Sequence, residues 1–175
     1  MGLSRRLIAA AFAATTLAAM LAAVPAYAGH RLLDDDARVV VPDAESTSLA
    51  FRIAAHGYFA PTHVAALSIT SDADRVAITA FAGEFRTGGY SVSVQGVLEQ
   101  RFGSRSQLCV LAALARPARS AKTIEAVTQP YETVLLERTA LGAAVPRSWI
   151  LYDVVRGAVL AASSHASIAA CEAAV

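Results

Sequence analysis

Histidines are the side chains best suited to metal chemistry in this 175-residue chain, which has four of them. His56 and His63 flank the segment GYFAPT, whose glycine and proline are typical of a loop between strands. Their rings can therefore converge at the two ends of one loop. Two imidazoles do not complete a metal site, and isolated histidines are more commonly ordinary surface or edge residues.

A second candidate for metal chemistry lies after the small-residue motif AYA at residues 26–28. Cleavage behind this motif would leave Gly29 with a free amine and His30 in second position. The amine, the next amide nitrogen and the imidazole are the planar nitrogen donors that Cu(II) prefers. A periplasmic copper-handling protein that uses Gly29, His30, His56 and His63 is therefore one alternative. The favoured expectation is no cofactor, because any exported chain cleaved before Gly-His would offer these donors.

Cations concentrate in one stretch of the chain. No acidic residue lies between Glu99 and Glu125, and the segment QRFGSRSQ within this stretch has the composition of an exposed loop. Arginine suits planar, bidentate anionic partners. We therefore predict an anion-binding or partner-binding surface here, with ordinary solvated charges as the alternative. The candidate residues are Arg101, Arg105, Arg116, Arg119 and Lys122.

Catalytic motifs do not occur in the sequence. It contains no GxSxG elbow, HExxH pair, P-loop or GxGxxG. Ser91 and Ser93 stand near glycines, but they fall in a regular strand pattern that offers no sharp turn to expose a nucleophile. The expectation leans towards a protein that is not an enzyme, and a small hydrolase with an unrecognised site stays open as an alternative.

The two cysteines, Cys109 and Cys171, both lie in the part of the chain beyond residue 28. Paired cysteines in an exported chain usually form a disulfide. Their spacing excludes a CxxC redox motif. We therefore predict a Cys109–Cys171 bridge that fastens the carboxyl-terminal tail to a central strand.

Residues 1–28 have the three-part order of a secretory signal. Arg5 and Arg6 precede the uncharged, alanine-rich stretch 7–24, and the AYA motif completes the pattern. We predict cleavage after Ala28, a periplasmic or secreted protein, and no stable membrane span after cleavage. A membrane anchor is the alternative, because the apolar stretch approaches a spanning length.

Charge sets further limits on the partner. Without Arg5 and Arg6, the chain has 13 basic and 14 acidic residues, a formal net charge of −1. This balance gives no global attraction to nucleic acid or to a membrane surface. The expected partner is a protein or an envelope component.

Alternating apolar residues indicate several short strands. Alternation predicts strands at residues 63–70, 75–85 and 90–100, and it favours a strand at residues 48–59, which also fit a helix. A β-branched run predicts a short strand at residues 38–41, and a run that is apolar on both faces predicts a central strand at residues 108–115. Thr87-Gly88-Gly89 is typical of a hairpin turn between two of these runs. A second hairpin is predicted in WILYDVVRGAVLAASS, with its turn at Arg156-Gly157.

Helical spacing is predicted for residues 130–141, bounded by Pro130 and Gly142, and Ser167 can cap a short final helix. Residues 29–175 are predicted to form a single β-rich domain. The fold class is mainly β, an antiparallel sandwich-like domain with one or two short helices, and an α+β layer is the alternative. The function that these features favour is a small, exported, disulfide-stapled binding or accessory protein without catalytic activity.

Overall fold

A computed structural model of the protein describes residues 44–175, except residues 121, 124 and 143. The signal segment, Gly29, His30 and the strand predicted at residues 38–41 lie outside these residues. The elements in chain order are β1 (Glu45–Ser48), β2 (Arg52–Gly57), β3 (Ala65–Ser71), β4 (Arg75–Ala82), β5 (Ser91–Phe102), β6 (Arg105–Ala115), β7 (Tyr131–Glu137), a 3-10 helix (Arg138–Ala140), β8 (Ser148–Asp153), β9 (Ala158–Ala162) and α1 (Ile168–Glu172).

The mainly-β, sandwich-like fold is confirmed. A five-stranded sheet has the order β1-β5-β6-β8-β9, and a four-stranded sheet has the order β2-β7-β4-β3. Neighbouring strands are antiparallel except β6 and β8, which run parallel, with Gln107 beside Ser148 and Ala112 beside Asp153. The parallel pair arises because the chain leaves the five-stranded sheet after β6, forms β7 in the other sheet, and then returns.

The core lies between the inner faces of the two sheets. Val76 and Ile78 on β4 are fully buried, and so are Val134 on β7 and Leu108 and Val110 on β6. These residues recur at every second position, because side chains alternate between the faces of a strand. A smaller cluster forms on the outer face of the five-stranded sheet, where Cys109, Ile150 and Tyr152 pack with Cys171.

The long strand β5 departs from the predicted alternation because of a bulge between Val94 and Gly96. Val92 and Val94 are buried, as expected, but beyond the bulge Val97 is the fully buried residue rather than Leu98. An extra residue in one strand exchanges the faces of all later side chains. The Glu132 carboxylate, reaching across from β7, accepts the backbone N–H of Val94 at 2.5 Å.

The helix predicted at residues 130–141 is wrong. Tyr131–Glu137 forms β7 between β2 and β4, and only Arg138–Ala140 adopts a 3-10 turn. In β7, buried and half-buried residues alternate, with Val134 and Leu136 towards the core. Short apolar runs fit both periods, and pairing with two neighbouring strands decides in favour of the strand.

The hairpin predicted at Thr87-Gly88-Gly89 is also wrong, because β4 and β5 belong to different sheets. Backbone hydrogen bonds between Phe85 and Thr128 hold the exit from β4 against the four-stranded sheet. The Phe85 ring then stacks on Tyr90, with ring centroids 4.1 Å apart, where the chain enters β5. The glycine turn therefore carries the chain from one sheet to the other.

The predicted carboxyl-terminal hairpin, short helix and disulfide are confirmed, whereas the Ser167 side chain at the N-cap position forms no cap hydrogen bond in the structure. β8 and β9 form an antiparallel hairpin, with Gly157 at a φ of +63° in its turn, where glycine has no Cβ to clash. Ser167 precedes the short helix α1, and Cys171 within α1 forms a disulfide with Cys109 on the central strand β6. Within the described residues, no helix combines the length and apolar character needed to cross a bilayer.

Candidate partner-binding site

The five cations predicted as one surface do not converge. Arg105 is the first residue of β6, whereas Arg116 follows the last residue of the same strand. At about 3.3 Å per residue, they stand roughly 35 Å apart. Arg119 and Lys122 are exposed beyond Arg116, in the segment that leads to β7. Only Arg101 and Arg105 therefore share one end of the sandwich.

Arg101 is held by an acidic residue within the fold. Its guanidinium donates a 2.8 Å hydrogen bond to the carboxylate of Glu99, which is only 1% exposed. This hydrogen bond raises the pKa of Arg101 above its ordinary value. A Cβ at Gly142 would lie 3.2 Å from the same guanidinium, so the chain just after the 3-10 helix packs closely over the ion pair. Arg101 therefore compensates a buried charge, while 48% of its side chain stays exposed.

Arg105 lines a cleft of about 730 Å³ at the β5–β6 turn. The cleft combines cationic side chains with apolar ones and is lined in part by Phe102, Arg105, Val145, Pro146, Arg147 and His165. A second hollow of about 400 Å³ lies next to it, between Trp149 and Ile69, and shares residues 145–147. We call the larger hollow the Arg105–Arg147 cleft.

The parallel pairing of β6 and β8 brings the two arginines to one end of the sheet. Gln107 pairs with Ser148, so Arg105 and Arg147 lie at the starts of adjacent strands. Neighbouring strands in a sheet are about 4.8 Å apart. Across the β5–β6 turn, Arg105 pairs with Phe102, which places a cationic and an aromatic side chain on the same face.

Gln107 fixes the wall of the Arg105–Arg147 cleft nearest α1. Its amide oxygen accepts the backbone N–H of Ser167 at 2.7 Å, and its amide nitrogen donates to the Ser167 carbonyl at 3.0 Å. The same nitrogen lies 2.8 Å from the Gln100 amide oxygen, and Gln100 in turn donates to the Ala170 carbonyl. The turn that contains His165 is thereby held to the sheet at two points, by these glutamines and by the disulfide.

The charge of the cleft is uncompensated in the part of the chain that the structure describes. Neither Arg105 nor Arg147 forms an ion pair there, and the residues that line the cleft include no Asp or Glu. Arginine remains charged at any physiological pH and offers five N–H donors in a fixed plane. The cleft can therefore bind an anionic group by direct, charge-assisted hydrogen bonds.

Of the histidines predicted as metal ligands, His56 lies on β2 and His63 in the bend before β3, away from this cleft, and His30 lies outside the described residues. His63 contacts the Glu84 carboxylate through Nδ1, and the Gln129 amide nitrogen lies 3.1 Å from the same ring atom. The hydrogen bond with His63, followed by that with Gln129, lowers the pKa of Glu84. His56 is exposed on the edge strand β2. No group of three or more His, Cys, Asp or Glu side chains suited to a metal occurs between residues 44 and 175 outside the gaps.

Asp153, the last residue of β8, is buried, and its ion-pair partner is Arg156. Its carboxylate lies 3.4 Å from the Nε of Arg156 and accepts the backbone N–H of Val155 at 3.0 Å. The chain turns back immediately after β8, so Arg156, three residues on, reaches the carboxylate first. This leaves Arg147 available to the cleft.

Comparison with known proteins gives a partial family match. Residues 76–137 match the family model described as PrcB C-terminal, which takes in β4 to β7. No curated protein and no solved structure matches the chain. The chain is therefore similar to this family over about one third of its length. Arg105 lies inside the matched region, whereas Arg147 and His165 lie beyond it.

Proposed function

We propose that the protein is an exported binding or accessory module without catalytic activity, which contacts a protein or an envelope component through the Arg105–Arg147 cleft. One observation carries the proposal. Two arginines without ion-pair partners, among the described residues, line one cleft beside apolar side chains. Unpaired charges next to apolar surface are a typical composition of a recognition site, in which a few polar groups orient the ligand.

Export is supported by two independent features. The signal pattern of residues 1–28 precedes a chain whose two cysteines form a disulfide, and disulfides persist in oxidising compartments. Mass spectrometry of the exported protein tests this part of the proposal. We expect a mature chain that begins at Gly29, and a mature protein that retains residues 1–28 would favour a membrane anchor.

The absence of catalysis is proposed from the state of the reactive side chains. Cys109 and Cys171 are bonded to one another, so neither offers the thiolate that a cysteine nucleophile requires. The His63–Glu84 pair has the ingredients of a base and its orienting acid. Among the described residues, however, His63 forms side-chain hydrogen bonds with Glu84 and Gln129, and neither of these offers a hydroxyl or a thiol.

Partner capture with a matched control variant tests the binding function. The mature protein is immobilised and exposed to a detergent extract of the envelope of the exporting cells, and retained proteins are identified and quantified. Arg105→Ala/Arg147→Ala removes the cleft cations. Arg116→Ala/Arg119→Ala removes the same number of charges at the far end of β6. Both variants should fold, because exposed substitutions usually alter stability by about 0.5 kcal/mol or less.

We expect one reproducible partner whose capture falls about 10- to 100-fold in the Arg105/Arg147 variant and persists in the control. This range follows from a net value of about 1.5–3 kcal/mol for a hydrogen bond to a charged group. Capture should also weaken as salt is raised, because screening shortens electrostatic interactions to about 10 Å at 0.1 M. Equal capture by both variants would remove the cleft from the proposed function.

A further inference from the structure

We infer that the Arg105–Arg147 cleft recognises an organic anion that carries its charge directly beside an apolar group. This inference deepens the proposed function and rests on it. Three properties of the cleft support it: the arrangement of its cations, its apolar wall and its size.

The nitrogen-bearing side chains that line the cleft, two arginines and one histidine, come from three separate segments of the chain. Arg105 begins β6, Arg147 directly precedes β8, and His165 follows β9. In the described chain, the two arginines have no acidic partner, unlike Arg101, whose charge Glu99 compensates. Both arginines line the cleft, so an anion bound in it can accept planar N–H donors from them, and carboxylates suit such donors.

The apolar wall of the cleft distinguishes this ligand from a simple inorganic ion. Phe102 shares a face with Arg105 across the turn, and Val145 and Pro146 come immediately before Arg147. Each arginine therefore has an apolar neighbour. A phosphate or sulfate ion would satisfy the arginines and leave the exposed parts of Phe102 and Val145 in water, whereas an apolar group beside the charge would cover them.

The size of the cleft limits the ligand to a small group. A volume of about 730 Å³ lies within the roughly 300–1,000 Å³ that is usual for small-molecule sites. Such a volume admits the carboxyl terminus of a peptide, with its last two or three apolar residues, or a short fatty acid. Both present the same chemistry, a terminal carboxylate attached to an apolar body.

Calorimetric titration with defined probes tests the inference. The first pair of probes is acetyl-leucyl-phenylalanine with a free carboxylate and the same dipeptide as its carboxamide, which differ only in the charge. Octanoate serves as the fatty-acid probe, and inorganic sulfate as an anion without an apolar body. The proteins are the mature wild type, Arg105→Ala/Arg147→Ala, Phe102→Ala, and Arg116→Ala/Arg119→Ala as the matched control, each with its melting temperature measured.

We expect the free acid to bind at least tenfold more tightly than its amide and than sulfate. The Arg105/Arg147 variant should lose this preference, Phe102→Ala should weaken binding severalfold, and the control should behave as wild type. Binding of the dipeptide acid identifies the carboxyl terminus of a peptide as the natural ligand, whereas binding of octanoate without binding of the dipeptide identifies a fatty acid. Should Arg105→Ala/Arg147→Ala melt early, Arg105→Lys serves instead, which keeps the charge and removes the bidentate geometry.

Equal binding of acid and amide, binding of sulfate as tight as that of the acids, or binding of no probe would overturn the inference. Partner capture separates this result from failure of the proposed function. If capture still depends on Arg105 and Arg147 while no probe binds, the ligand class is wrong and the binding function stands. If capture is also independent of both arginines, the binding function at this cleft falls as well.

Discussion

Reduction of the Cys109–Cys171 bridge is expected to lower the stability of the domain more than any other single change considered for it. The bridge joins the central strand β6 to α1, the last element of the chain, and both cysteines are fully buried. It closes a loop with a sequence separation of 62 residues, which contains β7, β8 and β9. A cross-link acts mainly by restricting the unfolded chain, so its effect grows with loop length.

The size of the effect follows from that loop. The chain-entropy relation gives about 14 cal/mol/K for a loop of this length, or about 4 kcal/mol at 25 °C. Unfolding a domain of roughly 130 residues has an entropy of roughly 280 cal/mol/K, so the melting temperature should fall by roughly 15 °C. The hydrogen bonds from Gln107 to Ser167 and from Gln100 to Ala170 remain after reduction. We therefore expect the reduced protein to stay folded at room temperature.

Urea unfolding of the oxidised and reduced proteins measures this difference. The reduced protein is prepared by unfolding and refolding in reductant, and a thiol titration verifies that two thiols are free. Trp149, the single tryptophan, reports unfolding of the sandwich. Cys109→Ala/Cys171→Ala provides a reductant-free check, although it adds the cost of a small cavity. Equal urea midpoints for the oxidised and the fully reduced protein would refute the entropic reasoning. The attachment of α1 to the sheet would then depend on the hydrogen bonds of Gln100 and Gln107.

Two further predictions concern polar contacts elsewhere in the sandwich. Glu132→Ala should lower the free energy of unfolding by about 1–3 kcal/mol, because it leaves the Val94 N–H at the β5 bulge without its acceptor. Glu132→Gln, whose amide oxygen can accept the same N–H in place of the carboxylate, should recover most of this loss in urea unfolding; an equal loss in the exposed control Glu137→Ala would contradict the assignment. Asp72 accepts the backbone N–H groups of Arg75 and Asp74, which lowers the pKa of its carboxyl below the ordinary 3.8. At pH values above about 4, Asp72→Ala should therefore have a lower melting temperature than wild type, and this difference should shrink as the pH falls through the lowered pKa. A difference in melting temperature that does not change with pH would show that the carboxylate charge is not its cause.

Sequence patterns predicted the parts of this fold that depend on local chemistry. Alternation identified β4, an apolar run identified β6, and Arg156-Gly157 marked the turn between β8 and β9. The paired cysteines predicted the attachment of the tail. Each of these features depends on neighbouring residues or on a pair of reactive side chains. None of them requires knowledge of which strands become neighbours.

The parts that failed depend on pairing between distant segments. Residues 131–137 fit helical spacing, and only hydrogen bonding to both β2 and β4 makes them a strand. The bulge at Val94 reverses the faces of the second half of β5, and its stabilising carboxylate, Glu132, lies 38 residues away. No window of sequence around either segment contains this information.

The candidate site shows the same division. Arg105 was predicted from a local stretch without acids, and the structure places it in the cleft. The pairing of Arg101 with Glu99 could not be predicted, because Glu99 stands just outside the acid-free stretch and is buried only after folding. Arg147 and His165 were missed as site residues, since they approach Arg105 only through strand order and the fastening of the tail.

The cleft lies at the end of the sheet where the parallel strands β6 and β8 begin side by side. In an antiparallel pair, the start of one strand lies beside the end of its neighbour, and a short turn usually closes that end. Here β6 and β8 both start at the same end, and the chain reaches β8 from the opposite sheet through the 3-10 turn. The returning segment brings Val145 and Pro146 to the cleft and Arg147 to the start of β8.

The region that resembles the PrcB C-terminal family ends at Glu137, before this segment begins. Similarity over residues 76–137 can therefore preserve the strand that holds Arg105 without preserving the cleft. A chain that resembles this one must match residues 138–167 as well before the same ligand chemistry is expected of it.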